Sequence, residues 1–175
     1  MTIIKLQREL KGCILDIGGG GEGIIGRMYG WQVTAIDNRQ EELDEAPNSS
    51  IKILMDAEHL AFLDKTFDNT TFFYSLMYMS KDTQEKAIAE AARVLKTDGK
   101  LIIWDAVIDT AYPNPFLVEL SIDVNGELVH TVYGVIKPDA VQDCQLFIDI
   151  CEKNGLKLRS KEEDTAAFKL VFQKN

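Results

Sequence analysis

Between Asp16 and Gly23 the chain reads Asp-Ile-Gly-Gly-Gly-Gly-Glu-Gly. Glycines, having no Cβ, let the backbone turn sharply and come close to a ligand. A helix opening behind them would offer unpaired N–H groups. Gly18, Gly20 and Gly23 also satisfy the dinucleotide spacing GxGxxG, a weak signal taken alone. Three acids give it direction. Asp16 stands two residues before the first glycine, where a nicotinamide site would bring a pyrophosphate and a carboxylate would be a poor neighbour. A ligand with a cationic amino group matches Asp16 better. Asp37 follows about 20 residues later, the place for a carboxylate that accepts from ribose hydroxyls. Asp56 is then placed to accept from an adenine amino group. An amino acid, a ribose and an adenine would lie across three successive strand ends, in the crevice where open α/β sheets bind ligands.

Those positions need strands to hold them. Cys13–Ile17 is a short apolar run into the glycine cluster, and Gly23–Met28 reads as a helix start. Residues 31–36 form a second strand ending at Asp37, and a short helix over Arg39–Glu45 must stop near Pro47. Ile51–Met55 and Thr70–Leu76 are the third and fourth strands. Asp82–Lys96 is the clearest helix, with Ala87, Ile88, Ala91, Val94 and Leu95 at helical spacing and Gly99 past its end. Leu101–Val107 is a fifth strand. Phe116–Val124 and Glu127–Val135 flank Asn125-Gly126, the pair that suits a type I′ hairpin turn. Asp139 with Gln142 reads as a capping box for a helix through Lys153, stopped by Gly155. Leu156–Ser160 and Ala167–Phe172 are the final strands. Strands alternating with helices predict a parallel sheet with helices on both faces.

With these pieces in order, the sequence resembles the class I S-adenosylmethionine-dependent methyltransferases. Ile14–Gly20 is similar to that family's first motif, Ala35-Ile36-Asp37 to its second and Met55–Phe62 to its third. Phe67-Asp68 and Ala92–Leu101 resemble later ones, so the likeness runs from about Cys13 to Asp105. The branch it most resembles methylates small molecules, quinone precursors among them. The resemblance implies one α/β domain over residues 1–175: a Rossmann-like, mostly parallel seven-stranded sheet with helices on both faces and an antiparallel last strand. The β-hairpin near 116–135 would be an insertion spanning 111–137. It implies S-adenosyl-L-methionine as cofactor and a small-molecule acceptor. Asp16 with Gly18, Gly19 and Gly20 would serve the methionine end, Asp37 and Asn38 the ribose, and Asp56 and Ala57 the adenine. Phe73, Tyr74 and Met77 would lie near the sulfonium. The family often has a glycine where Glu22 stands, so Glu22 either opens the following helix near its positive end or marks a displaced loop.

Methyl transfer from a sulfonium is an in-line displacement on an activated electrophile, so alignment and exclusion of water do most of the work. No residue is singled out as catalytic, and with two histidines a His-rich metal site is hard to build. His59 reads as exposed or capping, and His130 as a hairpin surface residue. Tyr74 and Tyr78 read as packing residues or as phenols that orient a substrate; Asp105 as a structural cap or a substrate contact. Relatives carry helices before the first motif that roof the substrate pocket, whereas here the first strand is expected near Cys13. The hairpin is therefore expected to supply a roof or a homodimer contact, or else simply to extend the sheet.

Composition bounds these readings. Length (175 residues) fits one domain with one sizeable core. A net charge of −9 with no Lys/Arg cluster disfavours a nucleic-acid substrate, whose binders release counterions through basic patches. Three cysteines with no CxxC pair give no disulfide framework, and Cys144 and Cys151 are spaced to enter the core from one helix. No apolar run is long enough to span a bilayer and the first residues lack a signal-peptide layout, so a cytoplasmic protein is expected. Two rivals stay open: a non-catalytic module that binds the cofactor or its product, and a nicotinamide-dependent oxidoreductase, which Asp16 disfavours.

Overall fold

The computed structural model describes residues 2–175. Its strands are β1 (Thr2–Lys5), β2 (Ile14–Ile17), β3 (Val33–Asp37), β4 (Ile51–Leu54), β5 (Phe67–Phe73), β6 (Leu95–Ala106), β7 (Phe116–Val124), β8 (Glu127–Val135), β9 (Leu156–Glu163) and β10 (Ala167–Lys174). Its helices are α1 (Ile24–Tyr29), α2 (Gln40–Glu45), α3 (Lys81–Val94) and α4 (Cys144–Lys153). Seven strands form one sheet in the order β4-β3-β2-β5-β6-β10-β9. β2 to β6 run parallel, and β10 is antiparallel to both its neighbours. This is the Rossmann-like sheet that the sequence predicts. The order reverses between β2 and β5, which is where such sheets open a crevice at their carboxyl ends.

Alternation sorts the side chains to two faces. Leu15, Ile17, Ile36, Leu101 and Ile103 are buried against α3 and α4, whose Ala87, Ile88, Ala91, Phe147 and Cys151 complete one core. Ile14, Val33, Ala35, Ile102 and Trp104 point the other way. That second face is shared by α1 and by a separate three-stranded sheet, β1-β7-β8. The hairpin thus has the expected strands, but it does not extend the main sheet. Residues Thr2–Lys5 supply its third strand, parallel to Leu120–Asp123, where no strand is legible in the sequence. The alternating set Val118, Leu120, Ile122 and Val124 is buried within the chain itself, each side chain contributing about 1.5–3 kcal/mol relative to exposure.

Several boundaries differ from expectation for local reasons. β5 stops at Phe73 because Tyr74 adopts φ 50, a left-handed conformation that breaks a strand. A short 3-10 turn over Leu76–Tyr78 follows. Ser80 caps α3 by accepting from the Thr83 N–H, and the helix passes into β6 at Leu95 with no loop between them. α4 begins at Cys144, capped by Asp143 through the Leu146 N–H. The expected box of Asp139 and Gln142 is therefore not the cap. Asp139 accepts from the Lys81 N–H at 3.0 Å, and Gln142 is buried against Asp105. Cys144 and Cys151 are buried, Cys13 is exposed, and all three are free thiols. Among the described residues, no helix is long and apolar enough to cross a membrane.

Candidate functional site

The glycine loop leaves β2 and folds flat against the end of β3. Gly18 and Gly19 both donate to the Ile36 carbonyl at 2.9 Å, and Gly21 donates to the Glu42 carbonyl at 2.8 Å. Gly18 sits at φ 74, and a Cβ there would run into the side chain of Ser75. A Cβ on Gly20 would lie 2.9 Å from Asp37 Oδ2 and 2.5 Å from the Glu42 Cβ. Only a chain without side chains lets the loop approach this carboxylate so closely. Asp16 lies beneath the loop rather than in the open. It is 2% exposed and accepts from the Thr71 hydroxyl at 2.7 Å. Burial pushes its pKa up to about 7; the Thr71 hydrogen bond opposes that, and the nearby Asp37 charge adds to it.

A cleft of about 890 Å³ opens beside the loop, at the carboxyl ends of β2 to β5. Asp37 and Asp56 stand on its wall at the ends of adjacent strands. Each spends one oxygen on its own turn: Asp37 Oδ1 accepts from the Arg39 N–H at 3.0 Å, and Asp56 Oδ1 from the Glu58 N–H at 2.9 Å. Asp37 Oδ2 makes no hydrogen bond among the described residues, and Asp56 Oδ2 has the exposed His59 at 3.6 Å. Gly18, Gly20, Asn38, Ala57, Phe73 and Tyr74 line the same cleft, with Ile36 and Met55 supplying apolar wall. The cleft therefore offers two carboxylate acceptors, an apolar slot between them and a glycine cradle that a Cβ would fill. These are the features an adenosyl ligand requires.

Three of the expected site residues stand off the cleft wall. Asp16 and Gly19 lie behind the loop, where a Cβ on Gly19 would meet Asp16 Oδ2 at 2.5 Å. Met77 is buried in the core, its N–H donating to Asp105 Oδ2 at 3.2 Å; the 3-10 turn rotates it inward and presents Tyr78 and Met79 to the cleft instead. Asp105 is also buried. It accepts from Met77, Ala106 and the Gln142 amide, which makes it a structural anchor rather than a substrate contact. His130 pairs with Ser121 on the hairpin.

The far end of the cleft was not read from the sequence. Val132 and Tyr133 of β8 line it together with Glu22, Tyr74, Ser75 and Tyr78. Glu22 accepts from the Thr131 hydroxyl and, at 3.0 Å, from the Tyr133 hydroxyl. Tyr133 stacks on Tyr74 with ring centroids 5.1 Å apart and planes 24° from parallel. Tyr78 accepts from the Gly134 N–H at 3.3 Å. Burial, with the Glu22 charge adding to it, raises the Tyr133 pKa; burial likewise raises that of Tyr74, so both remain neutral phenols. The one sequence signal for this wall is the alternation of β8, which puts Thr131 and Tyr133 on the inward face with Val129 and Val135.

A mostly parallel sheet with a cleft at its switch point defines a Rossmann-like α/β protein. Residues 15–103 match the methyltransferase domain family, and the chain belongs to that family. It is 32% identical over 114 residues to the O-methyltransferase resE of Aspergillus sclerotiorum, covering 58% of this chain and 42% of that protein. The chain thus spans less than half the length of that curated relative. Among solved structures, an S-adenosylmethionine-dependent methyltransferase from Methanosarcina mazei is 18% identical, with a TM-score of 0.68 over 94% of each chain. The glycopeptide N-methyltransferase MtfA, solved with S-adenosyl-L-homocysteine, is 14% identical, with a TM-score of 0.67 over 96% of this chain and 85% of its own. These likenesses extend the shared fold over nearly the whole chain.

Proposed function

We propose that this protein transfers a methyl group from S-adenosylmethionine to a small-molecule acceptor. The observation that carries the reading is the pair Asp37 and Asp56, both lining the cleft with one oxygen held by its own turn, beside the four glycines 18–21. Asp37, with Asn38, would hold the ribose; Asp56, with Ala57, the adenine. When bound, the cofactor supplies a methyl group on a positively charged sulfur, an electrophile that needs no acid from the protein. The chain's part is to align and to exclude water. Gly18 and Gly20 let the backbone close on the ligand, while Asp16 braces the loop from behind through Thr71. Phe73 and Tyr74 wall the reacting end, and the hairpin residues Val132 and Tyr133 close the side that faces the acceptor. That role for the hairpin rests on Val132 and Tyr133 lining the cleft; its inward apolar face is covered from within the chain, while Leu117 and Leu128 are exposed.

Calorimetric titration with S-adenosylhomocysteine, run beside NADH, tests the assignment. Binding of the first and not the second is expected; the reverse would sink it. Turnover of S-adenosylmethionine over a broad acceptor panel then separates an enzyme from a module that only binds. Three free thiols, one of them exposed, favour a reducing compartment such as the cytoplasm.

A further inference from the structure

We propose that the methyl acceptor carries an amine, held as its ammonium between the Glu22 carboxylate and the phenol rings of Tyr78 and Tyr133; this deepens, and rests on, the methyl-transfer reading above. Glu22 is the starting point. Its carboxylate faces the cleft and takes two hydroxyl donors from β8, but among the described residues no lysine or arginine nitrogen lies within ion-pair distance of it. The two cationic residues on the cleft wall are engaged elsewhere. Arg39 pairs with Glu42 at 3.0 Å. Arg27 donates from Nε to the Glu22 backbone carbonyl at 2.7 Å, and its Nη1 lies 4.0 Å from Glu127. A carboxylate with hydroxyl partners alone has no counterion and keeps spare lone pairs.

Around that charge stand three aromatic rings, with Val132 beside them. Tyr133 and Tyr74 are stacked, and Tyr78 forms the outer rim. Ring faces attract a cation and offer nothing to an anion. A second, independent feature lies in the same wall. Tyr74 is 2% exposed, lines the cleft, and its buried hydroxyl has no hydrogen-bond partner. A buried unpaired phenol is costly; this hydroxyl is enclosed within reach of the Asp105 and Asp164 charges, so Tyr74 takes part through its ring, which backs that of Tyr133. Neither an anionic nor a neutral group would compensate Glu22. The ammonium is the anchor of the acceptor, and the methyl goes to another of its atoms, because a protonated nitrogen has no lone pair with which to attack.

The test uses the wild-type protein saturated with S-adenosylhomocysteine and two probes of similar shape, phenethylammonium and 2-phenylethanol, compared by calorimetry. The ammonium should bind at least about tenfold more tightly. Glu22→Gln should abolish that preference, and Tyr78→Ala, at a rim position that is 49% exposed, should weaken it even if the first variant folds poorly. Equal affinity of the two probes would overturn the proposal. So would a preference that persists in folded Glu22→Gln. Exclusion of the ammonium by S-adenosylhomocysteine would overturn it too, assigning the pocket to the cofactor's own cationic end. Should wild-type protein not bind S-adenosylhomocysteine at all, the methyl-transfer reading fails separately, and the probe preference is then read on the cofactor-free protein.

Discussion

The Tyr133 hydroxyl donates to Glu22 Oε2 at 3.0 Å across 111 residues of sequence. With the Thr131 hydroxyl on the other carboxylate oxygen, this joins the glycine loop after β2 to the second strand of the hairpin. A hydrogen bond to a charged group contributes more than a neutral one, on the order of 1.5–3 kcal/mol when buried. Here the pair is partly buried, so the lower end applies. Tyr133→Phe keeps the stacked ring and removes that one bond. It should lower the unfolding free energy by about 1.5 kcal/mol and speed amide exchange in Glu127–Val135 while leaving β5 and β6 protected. Unchanged stability together with unchanged exchange would show that the contact joins nothing.

Asp37 should govern cofactor affinity. Asp37→Ala removes Oδ2 from the cleft together with one turn-closing bond to the Arg39 N–H. The affinity for S-adenosylhomocysteine should fall by roughly tenfold or more, as expected for loss of a charge-assisted hydrogen bond. Calorimetry that returns the wild-type dissociation constant would take Asp37 out of the site.

Why these acids were legible and the opposite wall was not follows from the range of the interactions involved. Asp37 and Asp56 are set by strand ends a few residues away, and the hairpin by Asn125-Gly126 at its own tip. Local chemistry fixes all of them. Glu22 with Tyr133, and Thr2–Lys5 with Leu120–Asp123, meet across more than a hundred residues, and no local pattern encodes such pairings. Met77 lies off the cleft wall because a single left-handed residue, Tyr74, ends β5 early and a 3-10 turn follows. Gln142 mimics a capping residue in sequence, but its amide is drawn into the buried Asp105 carboxylate.

Asp56 should read the adenine edge. Asp56→Asn keeps an oxygen for the Glu58 N–H but turns an amide donor toward the adenine amino group. Affinity for adenosyl ligands should drop while the melting temperature stays within a degree or two, since an exposed turn acid contributes little to stability. A melting temperature that falls in step with affinity would make Asp56 a structural residue instead.

Asp105 should leave a signature in the pH dependence of stability. It is fully buried, and burial raises its pKa to about 7 despite the bonds from Ala106, Met77 and Gln142 that favour the charged form. In the unfolded chain it would titrate near the ordinary aspartate value of 3.8. Below pH 4 it is protonated in both states and imposes no cost. Between about 4 and 7 the folded state binds the extra proton, so stability falls as pH rises, by at most about 1.4 kcal/mol per pH unit. Above 7 the loss is complete. Asp16, raised likewise to about 7, adds a parallel fall, whereas Glu90 and Asp139, held low by Arg93 and by the Lys81 N–H respectively, work the other way. Only a difference isolates Asp105. At pH 4 the wild-type carboxyl is itself protonated and places one O–H among these donors, whereas Asp105→Asn places two N–H groups there, so the variant should be the less stable of the two. The gap should then narrow steadily toward pH 7, because only wild type loses stability through this group. Melting curves at half-unit steps across that range decide it: a gap independent of pH would mean that Asp105 is ionised throughout and that its three donors outweigh its burial.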